Sequence, residues 1–129
     1  MTQAYWCIFI AILIPYIVVF FAKLGAPGYN NATPRSMMPT LGGWRIRAYW
    51  SHQNSLEAIP AFIAAIIIAQ INNVDQNTIN LFAKSFIGFR LAYVILYIND
   101  NYIWRSLAWF GGFLCVISIF LVTAKILVI

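Results

Sequence analysis

The sequence is short of charged side chains, and above all of acids. Only 9% of its 129 residues are charged, and just three side chains are acidic. An ordinary soluble domain carries about 25% charged residues. Hydrophobic residues make up 63% of the chain, more apolar surface than a soluble protein of this length buries. The composition therefore excludes a soluble globular domain and predicts an integral membrane protein with one domain over residues 1–129.

Cysteine and histidine are also scarce, with two cysteines and one histidine. Cys7 and Cys115 fall in different apolar runs without a metal-ligand spacing, so we interpret them as buried free thiols and expect no metal site. His52 lies near a predicted helix start, where a lone histidine is commonly an interfacial polar residue. The net charge of +5 does not indicate a nucleic-acid partner, because the basic residues are scattered beside apolar runs.

Four apolar segments are long enough to cross a bilayer, which takes about 20 mostly apolar helical residues. They cover residues 4–24, 47–71, 78–98 and 103–128. Residues 25–44 hold four of the seven glycines and three of the five prolines, which predicts a loop, and the other two connections are short polar turns. Short connections make neighbouring helices antiparallel, so we predict an all-α membrane protein, an up-down four-helix transmembrane bundle.

Basic residues concentrate around the first and third connections. Lys23, Arg35, Arg45 and Arg47 flank or lie in the first, and Arg105 follows the third. Because cytoplasmic loops carry an excess of lysine and arginine, we expect these connections on the cytoplasmic side. Both termini are then expected on the non-cytoplasmic side.

Glu57 and Arg90 are opposite charges predicted to lie at one depth in the membrane. Glu57 is about 15 Å along its helix from Arg47, and Arg90 is about 12 Å from Ile98. Ionisable groups inside a membrane are costly and usually functional. We therefore expect Arg90 to compensate the Glu57 carboxylate across a polar cavity. A purely structural ion pair that joins two helices is the open alternative.

The spacing of polar residues extends this cavity. Asn54 and Glu57 are three residues apart and share a helix face. Arg90, Tyr93 and Tyr97, spaced by three and four, form one stripe on the next span. The predicted cavity opens to the cytoplasm and is lined by Asn54, Glu57, Arg90, Tyr93, Tyr97 and Arg105. Interfacial anchoring is the alternative for the tyrosines, and snorkelling at the lipid head groups for the last arginine.

Two stretches carry a resemblance to a known family. RAYWSHQNSLEAIPAF, followed by RLAYVILY and a nearby arginine, resembles the membrane-associated proteins in eicosanoid and glutathione metabolism, the MAPEG family. Asn54, Glu57 and Pro60 form its Asn-x-x-Glu-x-x-Pro element, and Arg90 to Tyr93 with Tyr97 form a second match. The resemblance spans nearly the whole chain, and the short length is most similar to the bacterial members.

The resemblance implies a homotrimer that binds glutathione at each subunit interface. It implies that Asn54, Glu57, Arg90, Tyr93 and Tyr97 contact glutathione, and that Arg105 is the catalytic arginine that activates its thiol. Enzymatic relatives commonly carry an arginine where this chain has Trp50. Arg47 and Arg45 are the nearest substitutes, and we expect Arg47 to join the substrate-binding residues.

Three functions follow as hypotheses. The first is a membrane-bound glutathione transferase, with glutathione peroxidase as a second activity, in a bacterial inner membrane. Glutathione would enter from the cytoplasm, and apolar electrophiles or lipid hydroperoxides from the bilayer. The second, favoured by Trp50, is a non-catalytic lipid-binding or scaffold protein of the same fold. The third, a proton-coupled exporter, is disfavoured because Arg90 would hold Glu57 ionised.

Overall fold

The computed structural model describes residues 1–128 and is all-helical over this range, without a strand. The helices are α1 (Gln3–Lys23), α2 (Pro34–Met37), α3 (Gly43–Ile71), α4 (Gln76–Ile98) and α5 (Tyr102–Thr123), with one 3₁₀ turn at Met38–Thr40. The four long helices are apolar enough to cross a membrane. The predicted all-α bundle of four spans is therefore confirmed.

The ends of two spans differ from the prediction. The last span was predicted to reach residue 128, but α5 ends at Thr123. Lys125 has a positive φ of 58°, and the N–H of Ile126 bonds the carbonyl of Leu121, which closes the helix. The second span was predicted to begin at residue 47, but α3 begins at Gly43. The loop before it contains the single turn of α2, which starts at Pro34, a favoured first helical residue.

The helix starts have clear local causes. Side-chain oxygens of Thr2, Asp75 and Asn101 accept hydrogen bonds from the backbone N–H groups of Tyr5, Thr78 and Trp104. Each satisfies one of the donors that a helix start leaves free. The turns before α4 and α5 pass through positive φ at Asn73 and Asp100, a conformation that these residue types adopt more readily than most. These tight turns make consecutive long helices antiparallel.

The helices pack with α3 and α4 at the centre. α1 packs mainly on α3, α5 packs mainly on α4, and the two central helices contact each other. Small residues let the helices approach closely, since Ala11 and Ala22 of α1 and Ala65 and Ala69 of α3 are all buried. Between the central helices the rings of Phe62 and Phe86 stack with centroids 3.9 Å apart.

Hydrogen bonds between neighbouring helices fix their relative positions along the bundle axis at both ends of the bundle. Near the N-terminus, Gln70 Nε2 donates to Gln76 Oε1, and Gln76 Nε2 donates to Asn80 Oδ1, each at 2.9 Å. At the opposite end, Arg47 Nε donates to the Ile98 carbonyl at 2.9 Å. Arg47 and Ile98 are the two reference points from which the depths of Glu57 and Arg90 were counted. Their contact agrees with placing the two charges at one level.

Candidate functional site

The polar residues of the central helices line two adjoining cavities. The inner cavity, about 210 Å³ between α3, α4 and α5, is lined by Asn54, Glu57, Ala58, Ala61, Phe86, Arg90, Trp109, Gly112, Phe113 and Val116. The outer cleft, about 490 Å³ on the surface between α3 and α4, is lined by Trp50, Gln53, Asn54, Glu57, Tyr93 and Tyr97. The acid and the base predicted to face one another therefore line the same cavity.

Arg90 is a buried cation held by neutral acceptors. Its side chain is only 4% exposed. Nη2 donates to Asn54 Oδ1 at 3.1 Å and to Ser55 Oγ at 3.0 Å. Ser55 Oγ itself donates to the Ser51 carbonyl, so its lone pairs are directed to the guanidinium. Hydrogen bonds from an ionised donor are the stronger ones, so this arrangement fixes Arg90 in one position.

Glu57 and Arg90 line the same cavity, but they are joined through the Asn54 amide and not by direct contact. Asn54 Nδ2 donates to Glu57 Oε2 at 3.4 Å, while Asn54 Oδ1 accepts from Arg90. Glu57 and Arg90 both lie in the described part of the chain, residues 1–128, and they form no ion pair with each other. The Asn54 amide lies between them and bonds both. Glu57 lies on an exposed part of α3, at the boundary between the inner cavity and the outer cleft.

Arg105 is placed by the two tyrosines of α4. Its guanidinium carbon lies 4.0 Å from the centre of the Tyr97 ring, and the Tyr97 ring meets Tyr93 edge to face at 5.5 Å. A cation over an aromatic face is attracted by the ring quadrupole. A third cavity, the side cleft, has about 200 Å³ and is lined by Tyr93, Tyr97, Arg105, Ser106 and Trp109. Tyr93 and Tyr97 line both clefts and so connect Arg105 to the region of Glu57.

Arg47 lies outside this group. Its Nε bonds the last carbonyl of α4, at Ile98, and the side chain lines none of the three cavities described here. Arg45 acts similarly on α1, because its Nη1 donates to the carbonyls of Ala22 and Leu24, each at 2.8 Å. A cation at a helix C-terminus satisfies free carbonyls and complements the helix dipole. The structure thus places Arg47 at a helix end and not beside the other predicted site residues.

Several residues of the site were not found from the sequence. The sequence did contain a signal for Ser55, because Ser51 and Ser55 are four residues apart in an apolar segment and so share a helix face. The structure buries both side chains. Trp109 and Phe113 had none, because only the packing of α5 brings them to the polar residues. They stack on each other at 5.4 Å and line the inner cavity.

The two adjacent glycines of α5 have different surroundings. A Cβ at Gly111 would lie 2.5 Å from the Phe89 ring, so Gly111 permits the close packing of α5 on α4. A Cβ at Gly112 would make only ordinary contacts, 3.6 Å or longer, and Gly112 lines the inner cavity.

His52 faces a neighbouring helix. Its Nδ1 lies 2.8 Å from the carbonyl of Pro15, and its ring stacks on Tyr49 at 6.1 Å. His52 therefore connects α3 to α1, and it lines none of the three cavities.

Four helices that are long and apolar enough to cross a membrane indicate an integral membrane protein, and the last three of them line the cavities. The family model of the MAPEG family matches residues 3–125, almost the whole chain, and the protein belongs to this family. The family includes glutathione transferases and related members. No curated protein and no solved structure matches the chain.

Proposed function

We propose that the protein is a membrane-bound glutathione transferase. The observation that carries the proposal is the chain of contacts from Glu57 through Asn54 and Arg90, and from Tyr93 through Tyr97 to Arg105. Glutathione carries an ammonium, two carboxylates and a thiol, and these groups need an acid, cationic donors and a thiolate-stabilising group. Glu57 and the two arginines supply that set within adjoining cavities.

In this proposal Glu57 binds the ammonium of glutathione in the outer cleft. Asn54, Arg90, Tyr93 and Tyr97 position the peptide, and Arg47 holds the end of α4, the helix that carries Tyr93 and Tyr97. Arg105 is the catalytic residue, because a nearby guanidinium favours the thiolate, which is the nucleophile. With an aryl chloride, the thiolate sulfur attacks the ring carbon. A C–S bond forms, the C–Cl bond breaks, and chloride leaves with the bonding electrons.

Peroxidase chemistry uses the same thiolate. Two glutathione molecules reduce a lipid hydroperoxide to its alcohol and water, and become the disulfide. The apolar partner comes from the bilayer and glutathione from the aqueous side, so one site receives a water-soluble and a lipid-soluble substrate. We place the protein in a bacterial inner membrane, with both termini on the non-cytoplasmic side.

The assembly proposed for this function is a homotrimer. Glu57 is exposed on the surface of the single chain, about 15 Å along the membrane-crossing helix from Arg47. A carboxylate in contact with lipid at that depth is costly. A second copy packed on α3 would cover Glu57 and complete the outer cleft, with glutathione bound between copies.

The test is conjugation of glutathione to 1-chloro-2,4-dinitrobenzene by the detergent-solubilised protein. We expect Arg105→Ala to lower kcat/KM by roughly 100-fold, the scale for removing one stabiliser of developing negative charge. Arg35→Ala, at an exposed arginine of α2, is the matched control and should keep full activity. Full activity in Arg105→Ala would remove Arg105 from the chemistry.

Binding is tested separately from turnover. Millimolar glutathione should raise the thermal midpoint of the wild-type protein, because a ligand that prefers the folded state stabilises it. Glu57→Gln should lose most of this rise, whereas Asp100→Asn, at an exposed acid in the turn before α5, should keep it. The same rise in Glu57→Gln and in wild type would contradict the role given to Glu57.

A non-catalytic lipid-binding or scaffold protein is the second candidate. Trp50 favours it, because an exposed indole lines the outer cleft, tilted against Tyr97 at 6.4 Å, where enzymatic relatives commonly carry an arginine. This candidate predicts that glutathione leaves the thermal midpoint unchanged.

A further inference from the structure

The inner cavity has a polar end and an apolar end. Asn54, Glu57 and Arg90 form the polar end, and the rest of the wall is mostly aromatic or aliphatic, with Phe86, Trp109, Phe113 and Val116. It lies next to the outer cleft, with which it shares Asn54 and Glu57. A molecule in the inner cavity would therefore lie beside whatever fills the outer cleft.

The volume limits the size of an occupant. An apolar cavity of roughly 150 Å³ holds a benzene molecule. The inner cavity measures about 210 Å³, which fits one substituted ring and not a fused three-ring system. Ring-shaped ligands also suit its wall, since the Trp109 and Phe113 rings are stacked nearly parallel, 15° apart.

The charges at the polar end select the chemistry of the occupant. Arg90 Nη2 is engaged by Asn54 and Ser55, and no acceptor among residues 1–128 bonds the other N–H groups of this guanidinium. An oxygen acceptor on the ligand would satisfy them. Glu57 lines the same cavity and would repel an anion, so an uncharged acceptor such as a nitro group suits the site better than a carboxylate.

The cavity is reached from the side of the bundle. Three of its apolar lining residues, Ala61 of α3 and Trp109 and Phe113 of α5, are exposed on the outer surface. Ala61 lies about 21 Å along α3 from Arg47, within a hydrocarbon core about 30 Å thick. The opening between α3 and α5 thus lies at the depth of the lipid tails, where apolar molecules dissolve.

Gly112 is the position that decides how much room the cavity has. Its Cβ would lie 3.8 Å from both Arg90 Cδ and Phe86 Cδ2, so a side chain there would project between the polar end and the aromatic wall without a backbone clash. A longer side chain at this position would occupy the space that a ring needs.

We propose that the inner cavity binds the apolar electrophile, a single-ring compound with an uncharged oxygen acceptor directed to Arg90, and that Gly112 sets its maximum size. The assignment of this ligand as the co-substrate rests on the proposed glutathione transferase function. Binding of the ring in the cavity does not require turnover and is tested without glutathione.

The probe is 1,3-dinitrobenzene, an unreactive nitroaromatic that quenches tryptophan fluorescence when bound near Trp109. Titration of the full-length, detergent-solubilised protein should show saturable quenching in wild type. Gly112→Val should weaken the apparent affinity about tenfold, the factor that corresponds to 1.4 kcal/mol of overpacking. Gly88→Val is the matched control, since Gly88 is exposed on α4 with open space around it, and should bind as wild type does.

Two further measurements keep the outcome decisive. Gly112→Ala adds one methyl group in ordinary contact, so it should fold and weaken binding to a smaller extent. 9-Nitroanthracene, which is too large, should give no saturable quenching. Equal affinity in the Gly112 variants and Gly88→Val, or no saturable quenching in wild type, would overturn the proposal. Saturable binding without any conjugating activity would contradict the proposed transferase function and still support the assignment of the cavity as a ring-binding site.

Discussion

At the scale of single residues, Asn54 decides how two unlike charges coexist inside the membrane. Its amide accepts from Arg90 through Oδ1 and donates to Glu57 through Nδ2. The spacing of three between Asn54 and Glu57 predicted their common face, and the helix period predicted the stripe of Arg90, Tyr93 and Tyr97. The bridging role was not predictable, because it depends on side-chain positions across two helices.

Ser55 supplies the second acceptor for Arg90, and its removal should destabilise the protein. Ser55→Ala leaves a buried donor of Arg90 unsatisfied, which costs about 1–3 kcal/mol. We expect a lower thermal midpoint in detergent. Ser36→Ala, at an exposed serine of α2, should leave the midpoint unchanged. Equal midpoints in the two variants would show that Asn54 alone holds the guanidinium.

At the scale of elements, the start of α3 carries two arginines that bond the C-terminal ends of two other helices. Arg45 bonds the end of α1 and Arg47 bonds the end of α4, and both lie in the first turns of α3. The sequence indicated these arginines only as topology signals and as a substitute for a missing ligand-binding arginine. Their carbonyl partners are more than twenty residues away in the chain, so packing alone reveals them.

Arg47→Ala should therefore affect stability more than binding. Loss of a charge-assisted hydrogen bond to a helix end costs about 1.5–3 kcal/mol, so we expect a lower thermal midpoint. KM for glutathione should stay within about twofold of wild type, because Arg47 lines none of the three cavities. A tenfold change in KM would require the loss of 1.4 kcal/mol of binding energy. Arg35→Ala is again the control. An increased KM at unchanged stability would place Arg47 among the ligand-binding residues.

At the scale of the whole molecule, the distribution of charge is the basis of the proposed orientation and assembly. Basic residues gather where the first and third connections lie, and the acid of α3 is exposed on the bundle surface. The first feature predicts sidedness by the positive-inside rule. The second favours coverage of Glu57 by another copy of the chain.

Sidedness is tested with a membrane-impermeant maleimide on intact cells. Asn72→Cys, at the turn between α3 and α4, should be labelled from outside, whereas Ser36→Cys should react only after permeabilisation. The wild-type protein is the control, because Cys7 and Cys115 are each only 6% exposed and should stay unlabelled. The reverse pattern would invert the proposed topology. Native mass spectrometry of the same preparation should give the mass of three chains, and a single-chain mass would contradict the trimer.

The sequence by itself determined the membrane class, the four spans and the level of the two charges, since apolar run length and helix rise are local properties of the chain. Tertiary structure alone decided that Asn54 separates Glu57 from Arg90, that Arg47 bonds a helix end, and that Gly112 and Trp109 line a cavity. The physical reason is that a helix period fixes which residues share a face, whereas the rotation and contact of one helix against another depend on side-chain packing between distant segments.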